Sequence, residues 1–193
     1  MACRAPRSAR LLHHLRSVRE SWGVSPLDNQ TSLSGEPPGR ALARGIVKAD
    51  IDLMSRVDAG IFCLDGFRRG PEMDPGTAFE IGYMFALGKA LSAWTKDTRE
   101  YPERVRSFFA DTFGLRLAVG ERSGSGARSG ALRDPDGTLV HSVGCYQNAM
   151  IDIGIEFSGG IIEADSDWRA AFNRATSRLA TILGTAAGRR LRA

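Results

Sequence analysis

The sequence predicts an α/β protein with an open, mostly parallel sheet flanked by helices, and three observations predict it. A short apolar run, Ala59-Gly60-Ile61-Phe62-Cys63-Leu64, ends abruptly in Asp65-Gly66, as a buried strand of a parallel sheet does. Soon after it Phe79, Tyr83, Met84 and Leu87 recur at helical spacing, with Gly88 where a C-terminal cap belongs. The tract Asp165 to Leu183 is again amphipathic, with Trp168, Ala171, Phe172 and Leu179 turned inward as a closing helix.

From the N-terminus, residues 1–20 form a basic segment, arginine-rich and free of acids until Glu20. Leu11, Leu12, Leu15 and Val18 in it space out as a first helix that runs to Trp22. The same composition has the character of a transit peptide, but a first helix accounts for the same residues. Gly23-Val24 then leads into a strand, and Gly35-Glu36-Pro37-Pro38-Gly39 links it to a helix over Arg44–Arg56. That loop is placed to act as a lid. After the strand at 59–64, Pro75-Gly76 breaks the chain and Thr77 is the expected N-cap of the helix Thr77–Leu87. Residues 120–137 are rich in Gly, Ser and Arg and read as a flexible insertion. A functional version lets its Arg122, Arg128 and Arg133 meet a 5′-phosphate.

Composition suits one domain over residues 1–193. A chain of this size can bury a sizeable core without staples, and no run is long enough to span a membrane. Cys3, Cys63 and Cys145 are scattered with no metal or redox spacing, as expected in a reducing cytosol. His13, His14 and His141 form no metal cluster either, so neither metal nor cofactor is expected. The formal charge of +4 comes almost wholly from arginine. It lacks the aromatic-interleaved stripe that nucleic-acid binding wants. The expected setting is the cytoplasm, with no nucleic-acid or membrane partner.

The chemistry gathers around three acids. Asp65 ends the strand, Asp74 lies in the loop, and Glu80 falls on the first turn of the helix. Open α/β sheets bind ligands outside the C-terminal ends of their strands. Three carboxylates gathered there repel one another, which raises at least one pKa and sets an acid beside a base. Such a site suits sugar transfer or sugar hydrolysis. A second reading of Glu80 stands beside this one. As the third helical residue it can fold back on the orphan N–H groups in a Thr-x-x-Glu capping box, and nothing more.

At these residues the chain resembles the nucleoside 2-deoxyribosyltransferases. The pattern is an apolar strand ending in Asp65-Gly66, an acidic loop, then Asp74 through Tyr83 as Asp-x-Gly-Thr-x-x-Glu-x-Gly-Tyr, and Ala86-Leu87-Gly88-Lys89. Tyr146-Gln147-Asn148-Ala149-Met150-Ile151-Asp152 is similar to the family's Asn-x-Met segment, which reaches into a neighbouring subunit's site. The resemblance runs from about Trp22 to Gly160 and implies a Rossmann/flavodoxin-like sheet. The family's opening strand has no counterpart in Met1 to Arg10, so the first family strand is expected to be missing.

The resemblance implies that Glu80 is the nucleophile, that Asp65 and Asp74 protonate or hold the departing base, and that Gly76 and Thr77 line the substrate. Asn148 would bind a sugar hydroxyl or orient the nucleophile from the next subunit, with Met150 as a soft apolar wall. Without the resemblance Met150 reads as a core methionine of an amphipathic helix. The activity implied is transfer of 2-deoxyribose from a deoxynucleoside to a free nucleobase within a homo-oligomer. The alternatives are an N-glycoside hydrolase of deoxynucleosides or their 5′-monophosphates, and a non-catalytic nucleotide-binding protein.

Overall fold

The computed structural model describes residues 23–29, 33, 35, 37–119 and 132–190, the last six without their side chains. The expected helix over Leu11–Trp22 lies outside the described residues, as do Arg122 and Arg128. The elements are α1 (Pro26–Asn29), α2 (Arg40–Arg56), β1 (Ala59–Cys63), α3 (Pro75–Ala86), β2 (Ala90–Thr95), α4 (Tyr101–Phe113), β3 (Ala118–Val119), β4 (Leu132–Arg133), α5 (Ala149–Phe157), β5 (Ile162–Ala164) and α6 (Trp168–Arg190).

The described main sheet has the order β1-β2-β5. Both pairings are parallel, with Ala59 opposite Ala90 and Ala93 opposite Ile162. Central β2 is covered on both faces, and Leu91, Ser92, Ala93 and Thr95 are all buried in it. Side chains alternate across the strands. Phe62, Leu64, Leu91 and Ala93 join Met54, Met73, Ile81, Met84 and Ile155 in one core. Trp94 faces the other way, against the rings of Trp168 and Phe172 on α6. Gly160, just ahead of β5, lies so close to β2 that an added Cβ would fall 1.5 Å from the Leu91 carbonyl oxygen. No side chain fits there.

Several boundaries differ from expectation. Residues 23–25 enter no strand, and Pro26–Asn29 form a short helix instead. Helix α2 begins at Arg40 rather than Arg44. Within the expected insertion, Leu132–Arg133 pair antiparallel with Ala118–Val119, and Arg133 Nη1 donates to the Gly137 carbonyl at 2.7 Å. On α3 the buried side chains are Ile81 and Met84, whereas Phe79 and Leu87 are exposed. The end of that helix follows expectation, with Leu87 as C-cap and Gly88 in the left-handed region at φ +68°.

Candidate active site

The site lies at the C-terminal ends of β1 and β2, where the strands stop and the chain must turn. Asp65 is buried there. Its Oδ1 accepts from Thr95 Oγ1 at 2.9 Å and from Lys96 N–H at 2.8 Å. Its Oδ2 lies 3.3 Å from Lys96 Nζ. Asp65 therefore ties the end of β1 to the end of β2.

Between Gly66 and Gly70 the chain makes a tight turn in which Arg68 and Arg69 both take left-handed conformations, φ +49° and +68°. The turn closes through Gly70 N–H to the Phe67 carbonyl and Phe67 N–H to the Glu72 carbonyl, both 2.8 Å. It delivers Asp74 to the start of α3.

There the structure corrects one expectation. The N-cap is Asp74, not Thr77: Asp74 Oδ2 accepts from Thr77 N–H at 3.0 Å, and Pro75 takes the first helical position, where its missing N–H does no harm. Gly76 is small for a reason, since an added Cβ would sit 2.8 Å from Asp74 Oδ2. The shift moves Glu80 into the second turn, out of reach of a capping box. The competing reading of Glu80 as a cap is thereby removed.

Among the described residues the Glu80 carboxylate accepts no hydrogen bond. It is half-buried, and burial first, then the charges of Asp50 and Asp74, push its pKa above the ordinary glutamate value. The acids that act on Glu80 are thus Asp50 from α2 and Asp74. Asp65 instead belongs to the Thr95–Lys96 network. Asp50 went unsingled in the sequence because nothing local distinguishes it from Asp52.

Asn148 caps α5, its Oδ1 accepting from Met150 N–H at 2.9 Å. Its Nδ2 is 3.5 Å from His141 Nε2. Met150 is 83% exposed, so it is not a core methionine. Among the described residues no hydrogen bond joins Asn148 or Met150 to the three acids of the same chain. No group of three or more His, Cys, Asp or Glu side chains able to hold a metal occurs among the described residues. No helix there is long and apolar enough to cross a membrane.

Two buried polar residues behind the site were not foreseen. Arg104 of α4 is 3% exposed, and Gln147 2%. Burial holds the Arg104 pKa below its usual value, while the Asp97 carboxylate at 3.6 Å opposes that shift. Arg104 shares a helix face with Phe108, four residues on, but a cation on that stripe interrupts the apolar pattern by which the face would be read.

Comparison with known proteins adds three findings. The nucleoside 2-deoxyribosyltransferase family profile matches residues 4–150. An uncharacterised protein of the fission yeast Schizosaccharomyces pombe is 41% identical over 183 residues, which cover 93% of this chain and 85% of that protein. The solved structure of a 2-deoxyribosyltransferase from Leishmania mexicana is similar with a TM-score of 0.53 and 25% identity, over 88% of this chain and 84% of that one.

Proposed function

The chain belongs to the nucleoside 2-deoxyribosyltransferase family, and on that premise we propose that it moves the 2-deoxyribosyl group of a 2′-deoxynucleoside between nucleobases through an ester on Glu80. The observation that carries this reading is the state of Glu80: half-buried, beside two other acids, and free of the capping bond that would otherwise explain it.

In the first step a Glu80 oxygen attacks the anomeric carbon. The C1′–N bond breaks, its electron pair stays on the base, and an acid delivers the proton that the base needs. Asp74 suits that delivery, because only its Oδ2 is engaged by the cap. Asp65 suits holding the base, since Thr95 and Lys96 fix its orientation. In the second step the acceptor base passes its proton to the Asp74 carboxylate left by the first step and attacks the same carbon, and the ester C–O bond breaks to return the Glu80 carboxylate. Splitting one displacement into two is the logic of covalent catalysis. A 2-deoxy sugar lacks the electron-withdrawing hydroxyl that opposes an oxocarbenium-like transition state, so modest groups suffice.

The exposed Met150 and the capping Asn148, neither bonded to the acids of their own chain, support a homo-oligomer in which they complete a neighbour's site. The test incubates purified protein with a deoxynucleoside, with and without a second free base, alongside Glu80→Ala. A new deoxynucleoside that requires both the acceptor base and Glu80 is the expected result. Free base released without exchange would replace transfer by hydrolysis. Retained ligand binding without any turnover would sink both enzymatic readings.

A further inference from the structure

Gln147 is deeply buried, yet its amide uses both ends. Oε1 accepts from Met73 N–H at 3.1 Å, and Nε2 donates to the Leu64 carbonyl at 2.9 Å and the Pro71 carbonyl at 3.4 Å. The amide has one sensible orientation, since a flip would set Nε2 against an N–H and Oε1 against two carbonyls. Arg104 reinforces the joint, its Nη1 donating to the Tyr146 carbonyl at 2.8 Å and its Nη2 to the Leu64 carbonyl at 3.4 Å. From the other side Asp152 accepts the N–H groups of Tyr146 and Gln147 at 2.6 and 3.1 Å.

The placement of these bonds matters more than their number. Leu64 immediately precedes Asp65, Met73 immediately precedes Asp74, and Gln147 immediately precedes Asn148. One buried amide therefore joins the three segments that carry the acids and the Asn148–Met150 cap, and Glu80 rides on the helix that Asp74 begins. An apolar replacement would leave backbone groups at that joint unpaired.

We infer that Gln147 is a positioning residue for the deoxyribosyl transfer, setting the Asp74–Glu80 helix start against Asp65 and tying the Asn148 segment to both. The inference rests on the reading of Glu80 as nucleophile. Misplacing reacting groups by about 1 Å costs on the order of 100-fold in rate.

Gln147→Glu tests it, because an un-ionised carboxyl keeps the two shorter bonds of the amide, its O–H donating to Leu64 and its C=O accepting from Met73, and loses only the 3.4 Å contact to the Pro71 carbonyl. Once ionised, the introduced group can only accept, and it faces carbonyls. The charged groups around that position are Arg104 on α4 with its partner Asp97, Asp65 after β1 with its partner Lys96, Asp152 on α5, and Glu72 and Asp74 on either side of Met73. Two cations, each already paired, against five carboxylates, together with burial, favour the un-ionised form.

Exchange is followed from mildly acidic to mildly alkaline pH, well below the unfolding midpoint, with circular dichroism confirming folded protein. Relative to wild type, kcat of Gln147→Glu is expected to fall by about 100-fold at alkaline pH and to recover as pH drops, with KM changing less than kcat. Gln147→Leu is expected to stay slow throughout, and if it does not fold the Gln147→Glu series decides. A ratio to wild type that does not vary with pH overturns the inference alone. A wild type that turns over no deoxynucleoside overturns the functional reading and this inference with it.

Discussion

Glu80 carries two consequences that follow from one cause. Burial, Asp50 and Asp74 raise its pKa above the ordinary glutamate value, and the nucleophilic role proposed for it needs the ionised form. The acid limb of kcat/KM, which reports the free enzyme, is therefore expected above the ordinary glutamate range. Asp50→Asn removes one of the opposing charges without touching the proposed proton donor, and should move that limb to lower pH in a pH–rate profile. The second consequence is stability. A carboxyl whose pKa is higher folded than unfolded holds its proton more tightly in the folded state. Its contribution is fully present below the unfolded value and is lost as pH rises through the folded one. Glu80→Gln cannot ionise, so it should raise Tm at neutral pH, with the gain gone below pH 4.5, while turnover falls by at least about 1,000-fold. A calorimetric Tm series across pH checks the sign.

Helix α3 shows how far an element can be read locally. Its existence, its glycine stop at Gly88 and the Asp-x-Gly-Thr start were all legible, because periodicity and cap chemistry are written within a few residues. Its first residue was not. Thr77 and Asp74 are both good N-caps, and the choice fell to Asp74 because Pro75 fits the first helical position and Gly76 leaves room for the Asp74 carboxylate. Gly76→Ala should break that cap, since the new Cβ would overlap Asp74 Oδ2. The expected cost is about 1 kcal/mol of stability, together with a lower kcat because the same carboxylate acts on Glu80. Denaturant titration and exchange kinetics on one preparation would show both losses, and a loss of stability alone would separate Asp74 the cap from Asp74 the acid. Strand β2 and helix α4 were not proposed from sequence at all. Ala90–Thr95 carries Ser92 and Thr95 within a short run, and α4 hides Arg104 on its inner face.

At the scale of the molecule, the sheet sets what can meet. Parallel strands end on the same side, so Asp65 and Thr95 come together without any sequence signal that pairs them. Met150 and Phe157 stand 83% and 78% exposed on α5, a surface suited to a second subunit. If sites are shared, mixing inactive Glu80→Ala with an inactive or weakened Asn148→Ala should restore a substantial part of the activity. A mixed dimer would then contain one site whose Glu80 and Asn148 are both intact. Activity no greater than the sum of the separate variants would place each site within a single chain.

The sequence by itself determined the strand ending in Asp65, the helix that carries Glu80, the glycine at its close and the family pattern that joins them. These depend on residues near one another in the chain, where hydrophobic period and capping chemistry act. Only the tertiary structure decided that Asp50 presses on Glu80, that Asp65 is spoken for by Lys96, and that Gln147 bonds to Leu64 across 83 positions. Such pairings are chosen by which elements the buried core brings side by side, and buried polar groups then take the partners that burial leaves them.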